Sequence, residues 1–443
     1  MTLTGLLFVL LFFIGLALTL ARHPIYGLFT YIAVFYIHPP SRWWGAFLPD
    51  LRWSLLAAAV TMLAIWWRLP ADKTRPPWYS TTPAKIMIAF VIWYWIMYIW
   101  ALDRELHTIG GVLITKYLLV YYMVYRLIDT SDKTTAFLFA HLLGCFFLGF
   151  LALGAAGGDR LDGVGGPGID DSNTLGMHLA TGVMAGAMLA LHWRGWRQYL
   201  VIVGIAFALN TLVMTGSRGA FLALVAGGAV LAWLRPPSYK RLFYAFAALG
   251  LLLFAYVASE QFWNRINTVT ANEQKMDSSA QSRVEMIRAQ FAMWSKYPMG
   301  TGHRGSEVLS ARYLESKYLT QFGARSSHNV FMTVLVEQGI PGAIMSFILI
   351  AWVARSLREL KRQSRVKEDP ARDIQAAAIG GALMVVMIGG LFADFSKCEV
   401  QIWMFALLAA LLHPSTASDL VPKSIGDAAR SRGYDQRAAQ RVR

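Results

Sequence analysis

The chain is poor in cysteine. Only Cys145 and Cys398 occur among 443 residues, which excludes a disulfide framework or a cysteine-rich metal module. Charge is also scarce. Asp, Glu, Lys and Arg together make up 15% of the residues, against roughly 25% in soluble domains. There is no Ser-His-Asp hydrolase signature, no strong metal motif and no glycosidase-like carboxylate pair. The short alternating segments of a β-barrel are missing. No internal repeat is visible, so the inverted halves of a secondary transporter are not indicated.

Apolar residues are abundant, at 56%, and the mean hydropathy is +0.44. Apolar runs fall near 3–21, 25–38, 53–67, 84–102, 109–127, 134–156, 173–192, 198–215, 218–234, 241–259, 327–354, 374–393 and 398–413. Runs of about 20 residues fit helices that cross a hydrocarbon core of roughly 30 Å. The fold class expected is all-α: a polytopic integral membrane protein with about 12 transmembrane helices and one large external loop domain containing surface helices. Its parts are N-terminal transmembrane helices over 1–258, the loop domain over 259–326, C-terminal transmembrane helices over 327–413 and a basic cytoplasmic tail over 414–443. The first run has no basic n-region or clear cleavage site, so it reads as a retained helix. The net charge of +15 lies mostly in loops and fits anionic lipid better than nucleic acid. Arg68, Lys73, Arg75, Arg126, Lys133, Arg194, Arg197, Arg235, Lys240 and the basic run 355–372 share one side. The positive-inside rule makes that side cytoplasmic. Alternation then puts 159–173, 215–218, 259–326 and 394–397 outside.

Four constellations on the external side carry chemistry. In Thr215-Gly216-Ser217-Arg218-Gly219, Ser217 reads as an N-cap with Arg218 in the first turn of the next helix. A cation at the positive end of a helix argues for an anion nearby. The bland alternative is an arginine reaching to lipid headgroups. Arg283 opens a surface helix of about 280–296, with Val284, Ile287, Phe291 and Trp294 on its apolar face and Ser279 or Ser282 as cap. A second helical stretch is expected over about 306–322. In Ser326-Ser327-His328-Asn329 a serine reads as the cap, with His328 in the first helical turn. There the dipole and nearby arginines disfavour the imidazolium, which leaves a neutral base. Glu337-Gln338-Gly339-Ile340-Pro341-Gly342 marks a break in the apolar run that follows. In the glycine-rich loop, Asp170, Asp171 and Asn173 read as a turn and cap, or as ligands for a divalent metal. Arg160, Arg265, Arg288 and Asp394 are secondary candidates.

Together these residues offer arginines for an anionic leaving group and one base for an acceptor hydroxyl. Thr-Gly-Ser-Arg218-Gly, Ser-Arg283 with Trp294 and Pro298-Met-Gly-Thr-Gly302, and Ser-His328-Asn-Val-Phe with Glu337-Gln-Gly-Ile-Pro resemble the bacterial O-antigen ligase and polymerase superfamily. Gly-Pro-Gly168-Ile-Asp-Asp-Ser-Asn173 is similar to its O-glycosylation ligases. The resemblance implies an inner-membrane, metal-independent, inverting glycosyltransferase with a periplasmic loop domain and active site, and without a cofactor. Its donor would be an undecaprenyl-pyrophosphate-linked glycan and its acceptor lipid A-core. Arg218 and Arg283 would hold the pyrophosphate, and His328 would be the base. An O-antigen polymerase or protein O-oligosaccharyltransferase is the alternative within the same chemistry. A lipid-linked glycan flippase or exporter is the alternative outside it.

Overall fold

The computed structural model describes residues 2–70, 72–154, 161–257, 278–366, 369–394 and 398–414. Arg160, Arg265, the proposed tail beyond 414 and the first part of the large loop lie outside these residues. Among the described residues every regular element is helical. The α-helices are α1 Leu3–Ala21, α2 Ile25–Ile37, α3 Trp53–Arg68, α4 Thr82–Met97, α5 Arg104–Leu127, α6 Ser131–Gly154, α7 Ser172–His192 and α8 Trp196–Met214. There follow α9 Arg218–Leu234, α10 Lys240–Val257, α11 Ser278–Lys296, α12 Gly305–Tyr313, α13 Val330–Glu337, α14 Gly339–Ser364, α15 Pro370–Gly389 and α16 Val400–Leu412. Among them, α1, α5, α6, α7, α8, α14 and α15 have the length and hydropathy to cross a bilayer. The chain is a multi-pass membrane protein.

The bundle is built around α7 and α15. Helix α15 packs along α9 and α7, and α7 packs along α8 and α6. Close approach needs small residues. A Cβ added at Gly227 of α9 would come within 2.9 Å of the Gly381 carbonyl of α15. Lipid tails are as apolar as side chains, so tight packing of this kind is what draws membrane helices together.

Inside the bundle a polar cluster is closed on itself. The Thr181 hydroxyl donates to the His178 carbonyl at 2.6 Å, so its oxygen is left to accept from His141 Nε2 at 2.9 Å. His141 Nδ1 must then accept, and Tyr36 donates to it. With its proton committed, the Tyr36 oxygen accepts from His178 Nε2 at 2.9 Å. That leaves His178 Nδ1 to accept from the Cys398 thiol at 3.4 Å. Each donor in the chain has an acceptor.

At one end of the bundle, α11, α12 and α13 form a small satellite core of Ala289, Met293, Leu309 and Val336. The break expected near Gln338 is present. Helix α13 ends at Glu337, and Gly339 turns with φ +65, a conformation that suits glycine. A backbone seam crosses this break. Thr301 N donates to Val336 O at 3.0 Å, Gly302 N to Glu337 O at 3.0 Å and Ile340 N to Pro298 O at 2.9 Å. Ser306 Oγ adds a bond of 3.0 Å to Glu337 Oε1.

Three local expectations need correction. Helix α13 is capped by Asn329 and not by a serine. Asn329 Oδ1 accepts from Phe331 N at 3.0 Å and Met332 N at 3.1 Å, so His328 precedes the cap and lies outside the first turn. The second loop helix stops at Tyr313 and is followed by a separate 3-10 turn, Ser316–Tyr318. The α11 stripe Val284 and Phe291 is 39% and 51% exposed, while Met286, Ala289 and Met293 face the protein. Helix α11 is therefore apolar on two sides.

Candidate active site

His328 and Arg283 line one narrow cleft. Its other lining residues include Met286, Ile287, Gln290, Arg325, Ser327 and Leu391. One wall is the inner stripe of α11; the other is the strand of chain leading into α13. Val330 N donates to Gly390 O at 2.7 Å, which ties that lead-in to the turn following α15. Arg325 braces the cleft. It donates from its backbone to Ser310 Oγ at 2.8 Å, from its guanidinium to Tyr318 O at 2.8 Å and to Ser282 Oγ at 2.7 Å.

Burial pushes the pKa of His328 down, and the positive charges of Arg283 and Arg325 push it further the same way. Asp171 and Asp394 oppose them. The imidazole is thus biased towards its neutral form by burial and by the arginines. Burial also lowers the pKa of Arg325.

Arg218 opens α9 as expected, and Ser217 Oγ caps the helix by accepting from Ala220 N at 3.2 Å. Arg218 does not line the His328 cleft but stands beside it. A Cβ on its neighbour Gly219 would lie 2.5 Å from Phe392 Cβ, and Leu391, next to Phe392, lines the cleft. The Ser217 hydroxyl also donates to Asn173 Oδ1 at 2.9 Å, joining this turn to the start of α7. Asp171 caps α7 through Asn173 N and Thr174 N, and its charge acts on His328. Three segments far apart in sequence thereby meet around one imidazole.

The secondary candidates separate. Asp394 acts electrostatically on His328. Arg288 points away, largely exposed and paired with Glu285 at 2.7 Å. Arg160 and Arg265 are outside the described residues. Sequence reasoning missed Gln290 and counted Arg325 only as one of the cationic groups of the large loop. Gln290 is polar inside an amphipathic helix and reads as solvent-facing until the second apolar face of α11 is seen. The signal for Arg325 was its place three residues before His328.

The metal option at the glycine loop is weakened by prior engagement, since the Asp171 carboxylate is spent on the cap and Asn173 Oδ1 on Ser217. Among the described residues His141, Cys145 and His178 form a group of metal-type donors, but their rings belong to the closed cluster inside the bundle.

Residues 203–347 match the family model described as O-Antigen ligase. The match supports membership in the O-antigen ligase and polymerase superfamily. The matched segment contains Arg218, Arg283, Gln290, Arg325 and His328. No curated protein matches the chain. Over this segment, about a third of the chain, the protein is similar to that family.

Proposed function

We propose that the protein is a glycosyltransferase that moves O-antigen glycan from undecaprenyl pyrophosphate to lipid A-core at the periplasmic face of the inner membrane. The observation that carries this reading is the joint placement of His328, Arg283 and Arg325 in one cleft within the matched segment. His328 takes the proton of the acceptor hydroxyl as its oxygen bonds to the anomeric carbon. The bond from that carbon to the pyrophosphate oxygen breaks, and its electron pair leaves with the lipid pyrophosphate. Arg283 and Arg218 hold the charge that develops there. Attack from the face opposite the leaving group inverts the anomeric centre, and no metal enters the step.

The test is transfer by purified protein in detergent, with undecaprenyl-pyrophosphate glycan, lipid A-core and a chelator, comparing wild type with His328→Ala. Glycosylated lipid A-core from wild type alone is the expected result. Elongation of the glycan, or its attachment to a protein, would redirect the assignment to a polymerase or a protein O-oligosaccharyltransferase. Full transfer by His328→Ala would remove the base assignment, and no transfer to any acceptor by wild type would favour a flippase or exporter.

A further inference from the structure

Gln290 lies seven residues after Arg283 on α11, two turns along the same face. Both line the His328 cleft. Gln290 is fully buried, at 0% exposure. Its Oε1 accepts from Ser327 Oγ at 3.3 Å, while its Nε2 is buried with no hydrogen-bond partner among the described residues. Native interiors rarely leave such a donor unmet. Its neighbours in the cleft do not satisfy it: the guanidinium groups of Arg283 and Arg325 are donors only, and Ser327 already addresses the other end of the amide. Among the described residues no acceptor reaches this amide nitrogen, and an anionic oxygen is the acceptor that the guanidinium groups lining the same cleft favour.

We propose that Gln290 binds substrate directly, donating from Nε2 to an anionic oxygen of the donor's lipid diphosphate. This rests on the function proposed above and extends its diphosphate site by one residue. An amide supplies a directed donor without adding a third positive charge beside His328. Because the diphosphate gains charge as it leaves, the bond strengthens during the reaction.

The substitution Gln290→Glu isolates this role. It keeps an oxygen to accept from Ser327, removes the N–H donor and sets a negative charge against the ligand. Gln290→Met removes both bonds. The full chain in detergent is tested for binding of undecaprenyl pyrophosphate and undecaprenyl monophosphate without turnover, alongside transfer kinetics and thermal unfolding. Both variants should bind the diphosphate roughly ten- to hundredfold more weakly, with a smaller loss for the monophosphate. Wild-type binding by Gln290→Glu, with a defect only in Gln290→Met, would overturn the proposal and leave Gln290 as a support for the Ser327 turn. Tighter binding by Gln290→Glu would overturn it as well, because the amide then presents its oxygen to the cleft. Arg283→Ala separates the two levels. If it weakens diphosphate binding and Gln290→Glu does not, only the Gln290 role fails. If neither does, or wild type does not bind, the diphosphate site fails too.

Discussion

Two histidine clusters in this molecule follow opposite rules. Inside the bundle, His141 and His178 sit in a closed chain with Tyr36, Thr181 and Cys398, where each donor has an acceptor. At the end of the bundle, His328 stands among arginines, carboxylates and a buried amide whose donor is unmet. The first arrangement is complete without a ligand. The second is left with one buried donor, Gln290 Nε2, that no described residue accepts. Saturation marks a structural cluster, and a buried donor left unmet beside a cleft marks a place where something binds.

The comparison breaks most sharply at the two imidazoles. His328→Ala should reduce transfer by roughly 10²- to 10⁴-fold, read as product formed at matched protein, with thermal stability near wild type. Next come the arginines. Arg283→Ala and Arg218→Ala should each cost roughly ten- to hundredfold in transfer, with weaker binding of undecaprenyl pyrophosphate in a direct assay. Tyr36→Phe tests the other side. It strips the donor from His141 Nδ1 and the acceptor from His178 Nε2, so it should cost about 1–3 kcal/mol of stability. Specific activity of the folded fraction should be unchanged; a loss of turnover without a loss of melting temperature would mean the inner cluster is not merely structural.

The smallest effect is on pH. The base form of His328 is neutral and its pKa is lowered, so activity should hold below the usual histidine range and then fall as acid protonates the ring. Removing the Arg283 charge lets that pKa rise, so the acid limb of Arg283→Ala should move to higher pH. Asp171→Asn and Asp394→Asn should move it the other way. An acid limb that stays in place in all three variants would detach the titration from His328.

Much of this was legible in sequence, for particular reasons. The Ser217 cap before Arg218, the break at Gly339 and the helix carrying Arg283 follow from local chemistry that tertiary packing does not override. The cap of α13 was harder, because Ser326, Ser327 and Asn329 are all competent. In the folded chain Asn329 takes the cap, while Ser327 is engaged with Gln290 and with the Asn329 backbone. The inner stripe of α11 was hidden for a related reason. Periodicity finds one apolar face, but a helix with apolar residues on both its exposed and its packed side offers two, and Val284 to Trp294 is the stronger. Gln290 belongs to the other.

The seam between residues 298–302 and 336–340 has a mechanical consequence. It splices the segment bearing α11 and α12 onto the kinked pair α13 and α14 through five hydrogen bonds. An outward tug on that segment loads those bonds side by side, in shear, before it can prise the cleft walls apart. The gap between α11 and His328 is therefore gauged by bonds within the protein.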